Sequence, residues 1–348
     1  MATINDVATL AGVSRQSVSR VLNGKGYVGE ATRERVNEAI KVLNYRPNML
    51  AKALVTRHNR TLAYAMTNIS DPFHNLVNQG FEAASFEKGY TSMMCDIHSA
   101  AREKDYINMF MDHCIGGVAF HHLAMKEEQL LELKKAGVCC VLLDNETEIP
   151  GFASVSTDNY QGGYMAGKYL ASLGHRKIGC VHGIIDPTES HRNKENLPYE
   201  DTFQFNIWRR RTEGFLAAMR EYGLSTEYMY QSHARYDYAS EYTVKIVEKI
   251  FSGKERPSAL YCENDIIAIA ILKRLQEVGV RVPEDIAIMG HDGLDICQII
   301  LHPHLTTVSQ PRYDMGYQVA SMLIHEIENG KAAKSIVLQP TLQIGETT

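Results

Sequence analysis

The chain has 348 residues, of which 45% are hydrophobic and 22% charged, with a formal net charge of −5. That balance is that of a soluble globular protein and excludes a disordered or collagen-like chain. No stretch reaches the ~20 apolar residues of a membrane span, and the N-terminus lacks an apolar signal core. The seven Cys are an odd number and several lie in apolar runs, which points to buried thiols in a reducing cytoplasm.

Thr3 is a good N-cap for a first helix that carries Ile4, Val7, Ala8 and Ala11 on one face. Gly12 tolerates the positive φ of a sharp turn, and Ser14 caps a second helix. There Val18, Val21 and Leu22 face inward, leaving Arg15, Gln16, Ser19 and Arg20 on the outer face. Two short helices around a glycine turn, with Arg and Gln at the start of the second, are the pattern of a helix-turn-helix for a DNA major groove. An ordinary helical hairpin with a solvated face is the alternative. Against it stands a third helix at about Ala31 to Asn44, whose Val36, Ala39, Ile40 and Leu43 can close a three-helix core. Charge also divides unevenly. Residues 1–60 hold ten Lys and Arg against four acids, a net +6, and the rest carry −11. A cationic head on an anionic body suits phosphate contact at one end.

Arg46-Pro47 ends this unit, because the residue before proline is pushed out of the helical region. Asn48 can cap a short helix, Met49 to Val55, too short to hold itself in water. From residue 61 short apolar strands alternate with longer amphipathic helices. Strands are expected at Leu62–Ile69, Thr91–Asp96, Gly117–Phe120, Cys139–Leu143, Ile178–His182, Ala259–Cys262 and Ile286–Gly290. Helices are expected at Phe73–Lys88, Lys126–Ala136, Tyr160–Leu173 and Arg211–Tyr222. This alternation predicts parallel sheets covered on both faces, with ligands bound at the carboxyl ends of the strands.

Helix-turn-helix, hinge and α/β body in this order resemble the LacI/GalR family of bacterial transcription regulators. The resemblance rests on Asp6-Val7-Ala8 through Gly12-Val13-Ser14, Val18-Ser19-Arg20-Val21-Leu22-Asn23, Leu43-Asn44-Tyr45-Arg46-Pro47-Asn48, Asp158-Asn159 with Gly162-Gly163, Leu173-Gly174-His175, Arg211 with Gly214-Phe215, Asn264-Asp265, and Pro283 through Gly290-His291-Asp292. It implies an all-α three-helix headpiece (1–46), a hinge helix and linker (47–60), and an α/β periplasmic-binding-protein-like body (61–348) of two Rossmann-like lobes. The N-lobe would hold about 61–158 and 292–318, the C-lobe about 160–290 and 320–340, with three crossings near 157–160, 290–292 and 318–320. Arg15, Gln16 and Arg20 would then read base edges, with Thr3 and Ser19 among the further DNA contacts. Ser14, Asn23 and Asn48 would position the backbone, and Leu54 would wedge a minor-groove step. Gly29 departs from the pattern, standing where relatives commonly place a capping Ser or Thr.

By the same resemblance an effector sits between the lobes, contacted by Phe73, His74, Asp144, Arg211, Asn264 and Asp292, and Trp208, next to Arg211 in a stretch that relatives lack, is a candidate stacking face. An Asp and an Arg facing one cleft suit vicinal hydroxyls; the alternative is that Asp292 and Arg211 form an interdomain ion pair. Residues Asp186 to Trp208 form a stretch that relatives lack, either an aromatic lid or a surface excursion. His121-His122 and His302-Pro303-His304 have no Cys or carboxylate at ligand spacing, so no metal is expected, and no cofactor. The expected function is a repressor of a sugar-utilisation operon, controlled by a sugar or glycoside and binding a palindromic operator as a homodimer. A corepressor-dependent regulator answering a non-sugar ligand or a phosphocarrier protein remains open. An α/β enzyme with a fused DNA-binding head lacks any catalytic motif to support it.

Overall fold

The computed structural model describes residues 2–24, 26–45, 59–66, 68–97, 100–121, 127–145, 148–183, 204–232, 241–252 and 255–348. Asn48, Leu54, the expected helix Met49–Val55 and residues 186–203 of the inserted stretch lie outside them. The chain divides into two units, Met1–Asn59 and Arg60–Thr348.

In the first unit, α1 (Ile4–Ala11) opens with a full capping box. The Thr3 hydroxyl accepts from the Asp6 N–H, and the Asp6 carboxylate accepts from the Thr3 N–H at 2.7 Å. Gly12 turns the chain at φ 63°, and the Ser14 hydroxyl caps α2 (Arg15–Asn23) by accepting from the Ser17 N–H at 3.1 Å. Helix α3 (Glu30–Val42) starts at Gly29 without a side-chain cap, as the departure at that position predicts. Val7, Ala8, Ala11, Val18, Val36 and Ala39 form the core, with Val21, Leu22, Ile40 and Leu43 packed against it.

The second unit begins with β1 (Thr61–Met66), α4 (His74–Glu87), β2 (Thr91–Asp96), α5 (Ala100–Asp112), β3 (Gly117–His121), α6 (Glu127–Lys135), β4 (Cys139–Leu143) and β5 (Ala153–Thr157). It continues through α7 (Asn159–Ser172), β6 (Ile178–Gly183), α8 (Gln204–Glu221), β7 (Met229–Ser232), α9 (Glu241–Ser252), β8 (Ala259–Cys262), α10 (Asp265–Glu277), β9 (Ala287–Asp292), α11 (Ile296–Ile299) and β10 (Thr306–Ser309). Helix α12 (Arg312–Asn329) and strands β11 (Ile336–Leu338) and β12 (Thr341–Gln343) complete it. One sheet has the order β11-β5-β4-β3-β1-β2 and the other β12-β10-β9-β8-β6-β7. All pairings are parallel except β10 with β12. In β1, Leu62, Tyr64 and Met66 enter one core while Ala63 and Ala65 enter another, as a strand buried on both faces requires. Among the described residues no helix is long and apolar enough to cross a membrane.

The chain crosses between sheets three times, but only the crossing after β5 falls where expected. Strands β9 and β10 both belong to the second sheet, so the second crossing comes after Ser309, not at 290–292. Helix α12 then packs on α4 of the first lobe, Gly316 against the Val77 backbone and Gly80 against that of Tyr313. Residues 312–338 therefore belong to the N-lobe, and the last crossing lies between β11 and β12, at 338–341 rather than 318–320. The displaced boundaries follow from β10, a short polar run (Thr-Thr-Val-Ser) that offers no apolar strand signal.

Candidate functional site

In the first unit, the core residues of α2 turn inward and leave Arg15, Gln16 and Arg20 exposed, with Ser19 half-buried. The stem of Arg20 runs beside Gly26, which carries the guanidinium past the helix end. Thr3 and Ser14 both spend their hydroxyls on helix caps, so their expected DNA contacts would come through the remaining lone pair or the adjoining N–H groups. Asn23 is the last residue of α2. Tyr27, 92% exposed between α2 and α3, is an aromatic residue on this unit that the sequence pattern did not single out.

In the second unit, the C-lobe site is built on two helices that touch backbone to backbone. A Cβ at Gly163 would overlap the Arg211 backbone, and one at Gly214 would overlap that of Tyr160. This close approach lets the buried Arg211 of α8 reach across to α7. Its Nε donates to Asn159 Oδ1 at 2.8 Å and its Nη1 to the Glu263 carbonyl at 2.6 Å. The same Nη1 lies 3.1 Å from the Asp292 carboxylate at the end of β9. Burial opposes the Arg211 charge, but Asp292, Asp144 and Glu263 outweigh it and its pKa rises. Asp292 is buried enough that its carboxyl is pushed up despite the Arg211 charge; Gln310 donates to it at 2.8 Å. Both residues of the Arg211–Asp292 pair belong to the C-lobe, so it is not the interdomain bridge considered above. Trp208 stands one turn before Arg211, with the guanidinium 5.5 Å from its ring centre. Because α8 begins at Gln204, seven residues before the expected start, Trp208 is part of a helix and not of the inserted loop.

The N-lobe contributes rings. Phe73 and the buried His74 begin α4, and the His74 Nδ1 shares a 2.8 Å hydrogen bond with the Tyr64 hydroxyl. His121, at the end of β3, sits 5.4 Å from Phe73 and 4.7 Å from His74 between ring centres, with its Nε2 3.9 Å from the Asp144 carboxylate. Asp144 of this lobe is close enough to Arg211 of the other to raise the guanidinium's pKa, and Asp71 likewise raises that of Asp292.

Asp144 and Asp292 share an unusual conformation, with φ of 53° and 113° at the carboxyl ends of β4 and β9. Such backbone costs a side-chain-bearing residue roughly 1–3 kcal/mol and concentrates at ligand sites. The structure thus brings Phe73, His74 and Asp144 together in one lobe and Trp208, Arg211 and Asp292 in the other. Asn264 stands apart: its side-chain oxygen caps α10 by accepting from the Ile267 N–H at 2.7 Å. Sequence reading missed His121, Asn159, Glu263 and Gln310. Glu263 and His121 had a signal, since each lies at the carboxyl end of a predicted strand. Asn159 stood in the Asp158-Asn159 motif without a role assigned to it, and Gln310 had no signal.

Comparison with known proteins matches residues 3–48 to the model for bacterial regulatory proteins of the lacI family and residues 168–348 to a periplasmic binding protein-like domain. The HTH-type transcriptional repressor PurR of Aliivibrio salmonicida is 32% identical over 333 residues, covering 94% of this chain and 93% of that protein. That of Vibrio vulnificus is 31% identical, covering 100% and 98%. A complex of the transcriptional regulator CelR with cellobiose is 26% identical with a TM-score of 0.70, covering 100% of both chains. The lac repressor dimer bound to operator and the anti-inducer ONPF shares the fold at 21% identity and TM-score 0.79, covering 100% and 99%. The relatives are repressors and not enzymes, and with a helix-turn-helix ahead of a two-lobed α/β body this chain belongs to the LacI family of DNA-binding transcriptional repressors.

Proposed function

We propose that the chain acts in the cytoplasm as a homodimeric repressor whose hold on a near-palindromic operator is set by a small polyhydroxylated effector, a sugar or glycoside. The observation that carries this reading is the pair of positive-φ carboxylates, Asp144 and Asp292, one from each lobe, whose charges both act on Arg211, with the Trp208 ring 5.5 Å from its guanidinium. Carboxylate and guanidinium make paired bonds to vicinal hydroxyls, and the faces of Phe73 and Trp208 suit the C–H surface of a sugar ring. The cellobiose bound by CelR supports this ligand class.

The headpiece (1–46) would read the operator through Arg15, Gln16 and Arg20, with Thr3, Ser14, Ser19, Asn23 and Asn48 fixing its register. The hinge (47–60) would insert Leu54 into a central minor-groove step. The body (61–348) would bind effector and pair with a second copy. Effector and operator are then linked by a coupling free energy, reciprocal between the two sites. A non-sugar corepressor is the competing ligand, favoured by the higher identity to the PurR repressors, whose names contain no sugar.

A thermal-shift panel of mono- and oligosaccharides, sugar phosphates and nucleobases decides between them. A bound ligand raises stability by ~2.7 kcal/mol at a hundred-fold excess over its dissociation constant. A saturable shift with a sugar, lost in Asp292→Asn, supports the proposal; one with a nucleobase alone replaces it. Selection from random duplexes should return inverted half-sites, and a single asymmetric site would refute the dimer.

A further inference from the structure

The sequence places His302 and His304 one residue apart without a carboxylate at ligand spacing, but the fold supplies one from 42 positions away. Glu346 lies beside both imidazoles, its Oε2 3.7 Å from His304 Nδ1 and 4.0 Å from His302 Nδ1. The two rings are 4.5 Å apart between centres, and the three residues can each offer a donor atom within 4.8 Å of the others.

The backbone fixes this meeting, which does not depend on chance packing of long side chains. The Glu346 N–H donates to the His304 carbonyl at 2.6 Å, and the His304 N–H donates to Glu346 Oε2 at 2.9 Å. On either side, the Gly345 N–H donates to Thr306 Oγ1 at 3.0 Å and the Thr347 hydroxyl to the Ile288 carbonyl at 2.6 Å. A Cβ at Gly345 would collide with the backbone of His304, so the last residues lie flush against the segment entering β10. Gln276 Nε2 anchors the other end by donating to the His302 carbonyl at 3.0 Å. All three side chains reach solvent, His302 and Glu346 being mostly exposed. Small rotations about their own bonds can therefore draw the donors in to the separation of about 3.3 Å that neighbouring ligands of a tetrahedral zinc ion keep.

We propose that His302, His304 and Glu346 form a binding site for a divalent transition-metal ion of the Zn2+ class. Two imidazoles and a carboxylate are a ligand set that such ions favour over Mg2+ or Ca2+, and the fourth position is left open to water. The His304 N–H already holds the carboxylate, the kind of outer support that orients a ligand. The ion would clip the C-terminal segment to the segment entering β10 of the C-lobe sheet.

The test uses the full chain, stripped with chelator and titrated with Zn2+ by calorimetry, with Co2+ absorption as a ligand-sensitive second readout. Wild type should take up Zn2+ saturably and melt at a higher temperature with it than without. His302→Asn with His304→Asn should weaken that binding by roughly tenfold or more, and Glu346→Gln, which keeps an acceptor for the His304 N–H, should do likewise. His325→Asn, an exposed histidine elsewhere, should leave it unchanged. Mg2+ should produce neither heat nor shift. No saturable Zn2+ uptake by wild type, or equal uptake by the double histidine variant, would overturn the site.

Discussion

The two lobes of the body solve the same packing problem alike and then furnish their clefts with different chemistry. Each buries a helix pair at backbone contact through two glycines, Gly80 with Gly316 in one lobe and Gly163 with Gly214 in the other. Each ends a strand on an aspartate at positive φ, Asp144 or Asp292. Beyond that they diverge. The N-lobe surrounds its aspartate with rings, Phe73, His74, His121 and Tyr64, whereas the C-lobe surrounds its own with Arg211, Gln310 and the Glu263 carbonyl. The difference teaches that one architecture separates shape from charge. A ligand held between the lobes, as proposed above, would meet a largely aromatic wall and a charged one.

The strongest way to break the parallel is through its shared device. Gly214→Val and Gly316→Val should each cost about 3 kcal/mol or more in urea denaturation, because in both cases the new side chain meets backbone that cannot rotate aside. Tolerance of one and collapse of the other would show that the lobes do not rely on the same contact.

Charge removal comes next. Arg211→Ala leaves the buried Asp292 carboxylate without its counter-ion, so effector affinity should fall by about 2–5 kcal/mol while effector-free protein still holds operator. Calorimetry and gel shift on the same preparation check both halves of that expectation. On the aromatic side, Phe73→Ala should lose about 1.5 kcal/mol, and lose it similarly for every ligand of the class, since a ring face contributes area more than direction. A larger loss at Phe73 than at Arg211 would reverse the division of labour.

The smallest effect tests burial in the N-lobe alone. Glu103 of α5 is buried, and burial pushes its carboxyl up to about 7. A raised carboxyl contributes stability that is fully present below about pH 4 and lost as pH rises through 7. Glu103→Gln should therefore raise the melting temperature at pH 8 and leave it nearly unchanged at pH 4. An equal shift at both values would mean that the carboxyl is not held in its neutral form.

The headpiece was largely legible in the sequence because its signals are local. Thr3, Gly12 and Ser14 mark the ends of helices by their own chemistry, and Val7, Val18 and Val36 mark the core by spacing. Most strands of the body were legible as apolar runs between longer helices. The lobe boundaries were not, since β10 is polar and β11 and β12 are three residues each, too short to show a period. In the cleft, residues at strand ends could be named, but their pairing could not. That Arg211 would lie 3.1 Å from a residue 81 positions later depends on two glycines permitting two helices to touch. Asn264 shows the converse error, a polar residue at a strand end whose side chain is spent on starting the next helix.

Strands β11 and β12 are separated by two residues yet belong to different sheets, one at the outer margin of each. A protease cutting just before Ile336 would thus remove a border strand from both lobes in one event. The newly bared rims of β5 and β10 would offer unsatisfied N–H and C=O groups to any extended chain nearby. The damaged molecule would be prone to self-association through both halves at once, so quality control could recognise it by a single nick.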